Sequence, residues 1–385
     1  MCRLVLLCGR GVQPLLFAYD DADRMTGLTT FREDAGDITT DPTGRTDGDL
    51  TTWNYDDATG LLVRKTYADA THEDTTYNAL NLKATLTDPR STVTTSTYET
   101  ARGLLTGETY SDATPARSYA YNHLGLTTQI VDGSGTRTIA YTTYNEPESE
   151  SLLGDGKTHL ISELRDTYGR STGYTYAKAG NVQQTTSIGY GTDGRIATTG
   201  FLHGGTLKAF TYGYLENSRL PESLSMPNTM TLTRAYEEKR DLVTAMTYKR
   251  ATTTVVSRGY TYDALARPVT RTTARQKTTR NDAFTYNSRS ELAAATLGTD
   301  GYGYDYDNIG NRKTAQELAE ELTYASNNLN QYTSIARSTL NSSPSTLEAP
   351  FVPTYDANGN QTRVKTATGI WTVQYDANNR PVSFT

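Results

Sequence analysis

Gly259-Tyr260-Thr261-Tyr262-Asp263-Ala264-Leu265-Ala266-Arg267-Pro268-Val269 carries the signals that decide the fold. Tyr260 and Tyr262 alternate with Gly259 and Thr261, a period of two, which predicts a strand. Asp263 follows at once. Its carboxylate can cap nearby backbone N–H groups, and in other copies Gly or Asn two or three residues later accepts a positive φ. A second strand then opens at Pro268-Val269.

The unit recurs along the chain. Clear copies begin at Tyr55-Asp56 with Gly60, at Tyr77-Asn78, and at Tyr121-Asn122 with Gly125. Others are Tyr262-Asp263 with Arg267, and Tyr306-Asp307 with Gly310 and Arg312. Two more stand near the end: Tyr355-Asp356 with Gly359, and Tyr375-Asp376 with Arg380. Weaker copies are assigned to Tyr19, Tyr98, Tyr144, Tyr168, Tyr190, Tyr212, Tyr236, Tyr286 and Tyr324. Successive starts mostly lie 20 to 26 residues apart in the numbering. The long gap after Tyr19 holds Asp41-Pro42-Thr43-Gly44-Arg45-Thr46, which reads as a copy without its Tyr. The gap after Tyr324 holds Ser342-Ser343-Pro344-Ser345 and Pro350, a loop insertion near 337–353.

Each unit has room for two strands of ordinary length. A first strand ends at the Tyr, and a second, such as Leu61 to Tyr67, leads through Ala68-Asp69-Ala70-Thr71 to the next unit. One hairpin is not stable alone, but stacked hairpins cover one another's edges. The expectation is all-β: repetitive antiparallel hairpins forming one spiralling sheet over residues 19–385. Residues 1–18 stand outside the repeat. Gln316 to Leu322 is rich in Glu and Leu, yet a hairpin is favoured there over a helical turn.

Composition agrees. The 385 residues include 28 Tyr against 7 Phe and 2 Trp, 69 Thr and 31 Gly, with only 36% hydrophobic residues. Tyr and Thr favour strands. The balance argues against helical bundles, coiled coils and compact α/β enzymes. The net charge of −6 gives no electrostatic reason to expect a nucleic-acid partner. No stretch approaches a membrane span. Leu4 to Leu7 and Leu15 to Phe17 are split by Gly9-Arg10-Gly11, so no convincing signal peptide is present.

The Tyr-Asp-x-x-Gly-Arg unit resembles the YD repeat of the RHS (rearrangement hotspot) proteins. That group holds bacterial polymorphic toxins, shell-forming components of insecticidal toxin complexes, and animal teneurins. The resemblance runs from Tyr19 to Thr385. It implies a spiral sheet closing into a hollow shell around a C-terminal polypeptide, often a toxin, in a secreted or cell-surface bacterial protein. Such repeats usually end in a closing segment rich in Asp-Pro-x-Gly, whose acidic residues in some members cut the cargo free. Here the Asp-Pro pairs are Asp41-Pro42 and Asp88-Pro89, both inside repeats. Neither self-proteolysis nor a toxin is carried over. The array stops in mid-repeat at Arg380 to Thr385, as a segment of a longer protein or a truncated copy would.

Candidate chemistry is sparse. Asp20, Asp56, Asp263, Asp307, Asp356 and Asp376 are better explained as turn caps than as an acid–base pair. Asp356-Ala357-Asn358-Gly359-Asn360 places Gly fourth and lacks a Glu at the twelfth position, so a calcium loop is disfavoured. Cys2 and Cys8 and the scattered His72, His123, His159 and His203 suggest no metal site. His203-Gly204-Gly205 reads as a loop, and no nucleophile elbow or phosphate loop occurs. No catalytic, cofactor or metal residue is assigned. The repeat residues Tyr55, Asp56, Gly60, Tyr121, Asn122, Gly125, Tyr262, Asp263, Arg267, Tyr306, Asp307, Gly310, Arg312, Tyr355, Asp356, Gly359, Tyr375, Asp376 and Arg380 are read as architecture. The expected role is a non-enzymatic shell segment whose partner is the rest of its own chain or an enclosed cargo. The alternative is a carbohydrate-binding surface, because Tyr faces can stack on sugars. A cross-strand Tyr ladder explains the same count without a glycan.

Overall fold

The computed structural model describes residues 3–7, 14–32, 47–318, 320–339 and 349–385. Cys2, Cys8, the Asp41–Thr46 stretch and Ser342–Ser345 lie outside the described residues. The fold is all-β, as the period-two pattern requires. An antiparallel sheet of 29 strands is followed by a sheet of four, and no helix occurs among the described residues.

The chain divides into two compact units, Met1–Ala116 with Phe284–Thr385, and Arg117–Ala283. In the second unit, Met230–Tyr236, Val243–Arg250, Thr253–Tyr262 and Pro268–Arg275 pair in chain order, each antiparallel to the next. In the first, Leu15–Tyr19 pairs with both Arg3–Leu7 and Met25–Thr30. Residues 3–7 and 15–18 therefore supply strand ahead of the first Tyr-Asp turn. The four-stranded sheet, Thr354–Tyr355, Gln361–Thr366, Gly369–Tyr375 and Pro381–Phe384, belongs to the same unit. Across the insertion, Ile335 and Phe351 exchange backbone hydrogen bonds of 2.8 and 2.9 Å.

The Gln316 to Leu322 segment is a hairpin. Arg312–Glu317 pairs with Glu320–Ser326, and Leu318 at the turn has φ 61.

The repeat strands slip register at the residue that meets the turn, in most copies the Tyr. The shift falls between Asn54 and Tyr55, Ala120 and Tyr121, Thr261 and Tyr262, Asp305 and Tyr306, and Gln374 and Tyr375. Such bulges bend the strand and re-aim the side chain that follows.

Four of the weaker copies are framed differently from the sequence reading. The strand ends at Tyr141, and Tyr144 sits at the turn tip, 85% exposed. Arg165 takes the strand-ending position ahead of Asp166, and Tyr168 is another tip residue, 82% exposed. Tyr214 and Ser326, not Tyr212 and Tyr324, close their strands. The reason is geometric. Tyr212 and Tyr214, like Tyr324 and Ser326, are two apart and share a face, so tyrosine alternation cannot fix which one meets the turn; Tyr144 and Tyr168 instead lie beyond the strand, within the turn. The bulge fixes that position and accepts Arg or Ser, with an Asx cap following at Asp166 and Asn327 and a Thr142 hydroxyl cap after Tyr141.

Burial is shallow. The buried hydrophobic residues among those described are Phe31, Ala177, Leu232, Ala295, Ala315 and Val373. With so thin an apolar core, backbone ladders and cross-strand pairs must supply much of the cohesion. That is consistent with a chain rich in Thr and Tyr.

Candidate functional site

The repeated corner comes first. After Tyr262, the Asp263 N–H donates to the Arg267 carbonyl at 3.0 Å, and the Ala266 N–H donates back to the Asp263 carbonyl at 3.1 Å. Asp263 Oδ1 accepts the N–H groups of Leu265 and Arg267, both at 2.9 Å. Its Oδ2 accepts Arg267 Nε at 2.7 Å. The Asp thus caps the turn while the Arg covers the cap. The Arg267 N–H, and then that residue's side chain, hold the Asp263 carboxyl below the ordinary range against some desolvation.

Other copies repeat the arrangement with substitutions. Asp56 accepts from the Thr59 hydroxyl at 2.7 Å and the Thr59 N–H at 2.8 Å, which lowers its pKa, and Gly60 takes φ 72. Asn122 Oδ1 accepts from Leu124 and Leu126, with Gly125 at φ 82. Asp307 accepts from Ile309 and Asn311, with Gly310 at φ 93. Asp356 accepts from Asn358 and Asn360, with Gly359 at φ 87, so the Asp356–Asn360 stretch is an Asx-capped turn. Asp376 accepts from Asn378 and Arg380, and the Arg380 guanidinium binds it at 2.8 Å. Burial pushes Asp376 upward, but the Arg380 contacts prevail and lower it.

The Tyr reaches backward. Tyr262 Oη donates to the Val243 carbonyl at 2.7 Å, the first residue of the preceding repeat's post-turn strand. Tyr55, Tyr77, Tyr190, Tyr236, Tyr306 and Tyr375 make the same bond to Met25, Leu62, Ser171, Pro221, Leu292 and Gln361. The turn Arg of one repeat also lies over the Tyr ring of the next: Arg24 over Tyr55 at 4.6 Å and Arg170 over Tyr190 at 4.2 Å. Arg312 follows the turn residue Asn311 and spans Tyr304 and Tyr324 instead. These tyrosine hydroxyls are engaged inside the sheet.

In the first unit, the last corners meet the opening repeats. The Asn308 N–H donates to the Arg32 carbonyl at 3.0 Å, and Arg32 Nη1 donates to the Ser326 carbonyl at 3.0 Å. Asn328 Nδ2 donates to the Ala68 carbonyl at 2.8 Å. Arg90 Nη2 donates to the Asp376 carbonyl at 2.9 Å and to Asp88 at 3.2 Å, and Nη1 reaches the Tyr375 carbonyl at 3.3 Å. Asn358 Nδ2 donates to Asp88 at 2.6 Å. The Ala377 N–H donates to Thr114 Oγ1 at 2.8 Å. Four consecutive corners therefore rest on four successive early stretches. A cavity of about 280 Å³ opens between them, lined by Tyr67, Glu73, Asp88, Gln331, Asn358 and Asn379 among others.

Sequence reasoning placed the corner residues but missed this seam. Asp88 was noticed only as half of an Asp-Pro pair. A usable signal existed: Asn stands at positions 308, 328 and 358, one or two residues beyond the cap, where earlier copies carry residues such as Ala79 and His123. Among the described residues, no group of three or more His, Cys, Asp or Glu is arranged to hold a metal.

An Asx-capped corner with a backward-reaching Tyr, repeated along an antiparallel sheet, is the architecture these residues build. Solved structures agree at the level of fold. The crystal structure of TcdB2-TccC3-TEV is similar at a TM-score of 0.69 and 14% identity, over 96% of this chain and 22% of that one. TcdB2-TccC3-Cdc42 is similar at 0.63 and 14%, over 96% and 22%. A TccC3 variant of the Photorhabdus luminescens Tc holotoxin pore is similar at 0.63 and 14%, over 96% and 21%. The chain thus spans about a fifth of the length of those chains. No protein-family model matches it, and no curated protein shows a significant match.

Proposed function

We propose that the chain is a non-enzymatic wall segment of an RHS/YD-repeat shell. The shell encloses or presents a C-terminal polypeptide in a secreted or cell-surface bacterial protein. Residues 19–385 form the repeat array, and the Tyr, Asp, Gly and Arg of each corner serve as its joints. The seam carries the reading. Corners at Asp307, Asn327, Asp356 and Asp376 seat on Arg32, Ala68, Asp88 with Arg90, and Thr114. A repeat sheet whose end is bonded to its beginning is suited to enclosure. An open adhesive surface has no need of that bond.

The test is protease protection in the full-length parent protein. The polypeptide beyond the repeats is expected to survive trypsin while the repeats are folded, and to be digested once they are unfolded in urea. Digestion of that polypeptide at the same rate in both states would overturn the reading.

A further inference from the structure

In the second unit, three neighbouring strands gather arginines on one face. Arg258 lies opposite Thr273, and Thr273 lies opposite Arg280. Arg271 lies opposite Asp282, and Arg275 lies opposite Thr278. The period of two places Arg258, Arg271, Arg275, Arg280 and Asp282 on the same side of the sheet. The four arginines surround a cavity of about 360 Å³, which Thr273 and Thr278 also line.

Only one carboxylate answers these four cations on that face of the three strands. Asp282 is 2% exposed. It takes Arg271 Nε at 2.8 Å on Oδ2 and Arg280 Nε at 2.9 Å on Oδ1. Burial pushes its carboxyl upward, and the two guanidiniums outweigh burial and lower it. Asp282 therefore acts as a strut, fixing two guanidiniums by their Nε atoms. Arg258 and Arg275 have no carboxylate partner among the described residues. Like charges at cross-strand positions repel. Arg275 and Arg280 are exposed, so solvent screens the excess positive charge, which leaves a local field that favours an anion.

We propose that this cavity binds a compact multivalent phosphate-type oxyanion. Guanidinium forks match the edges of a phosphate, and threonine hydroxyls can add single donors. The cavity has room for more than one phosphate group, so a linked pair is the better fit. The site depends on strand register alone and is independent of whether the repeats form a shell.

The test is calorimetric titration of the full chain with inorganic pyrophosphate, beside Arg258→Gln, Arg275→Gln and an exposed control, Lys157→Gln. Arg258 and Arg275 stand outside the Asp282 pairs, so both variants keep the strut, and a thermal melt checks their folding. Saturable one-to-one binding is expected, weakened at least tenfold in each Arg variant and unchanged in the control. Absence of binding, or equal binding in all four proteins, would overturn the proposal. Tighter capture of a poly-glutamate peptide than of pyrophosphate would also overturn it, by assigning the face to an acidic polypeptide.

Discussion

Tyr262 Oη donates to the Val243 backbone carbonyl at 2.7 Å, and this bond ties one repeat to the one before it. The strand ending at Tyr262 and the strand opening at Val243 are already paired through the backbone. The side chain adds a second tether at the corner, beyond the end of that ladder at Ala245 and Gly259. Removing only the hydroxyl, in Tyr262→Phe, should cost about 1 kcal/mol in urea unfolding of the full chain. Tyr262→Ala also loses the ring and should cost about 3–5 kcal/mol. A neutral Phe variant would mean that the bond is incidental.

Ala266 occupies the left-handed position of the same corner, at φ 63, where Gly60, Gly125, Gly310 and Gly359 stand in other copies. An L-residue there carries a cost of about 1–2 kcal/mol, which glycine lacks. Part of that gain is offset by glycine's greater freedom in the unfolded chain. Ala266→Gly should therefore raise stability by up to about 1 kcal/mol, and Ala266→Val should lower it. Both are read from urea midpoints.

The capping carboxylates set the acid limit. Asp56, Asp263 and Asp376 all have pKa values lowered in the folded chain, by the bonds to Thr59, Arg267 and Arg380. A lowered folded value means the stabilisation is complete above the unfolded pKa of about 4 and is lost as pH falls through the folded value. Circular dichroism should show an acid transition that begins below about pH 4. Asp263→Asn keeps the Asx cap without the titration, so its loss of structure between pH 4 and pH 2 should be shallower than that of the native chain.

Arg90 joins the two ends of the array through Asp88 and the carbonyls of Tyr375 and Asp376. Its side chain is 16% exposed, so solvent replaces those bonds poorly. Arg90→Ala should destabilise the seam by about 2–3 kcal/mol. Hydrogen exchange should then quicken in Gly369–Tyr375 and Pro381–Phe384, and stay unchanged in Val243–Arg250 and Thr253–Tyr262. Uniform quickening would show that Arg90 supports the whole sheet and not the seam.

Strand, turn and spacing were readable because they are local. Tyr-Asp followed by Gly or Asn specifies a strand end, an Asx cap and a positive φ within six residues. The exact frame was less readable, because Tyr144, Tyr168, Tyr212 and Tyr324 compete with Tyr141, Arg165, Tyr214 and Ser326. The bulge before the turn decides between them, and bonds such as Tyr214 Oη to the Ile196 carbonyl go with that frame. The seam was not readable. Asp88 and Asn358 lie 270 residues apart, and no local pattern announces that they meet. The arginine face was hidden for a related reason: Arg258, Arg271 and Arg280 gather only through register across three strands.

The most direct measurement is a cross-link across the seam. Thr114→Cys and Ala377→Cys, in a chain whose Cys2 and Cys8 are replaced by serine, put two thiols where the Ala377 N–H meets Thr114 Oγ1. If the last corner rests on Thr114, a short bismaleimide should close a loop within one chain, seen as faster migration on a denaturing gel at low protein concentration. An unmodified monomer band, or cross-links only between chains, would contradict the account.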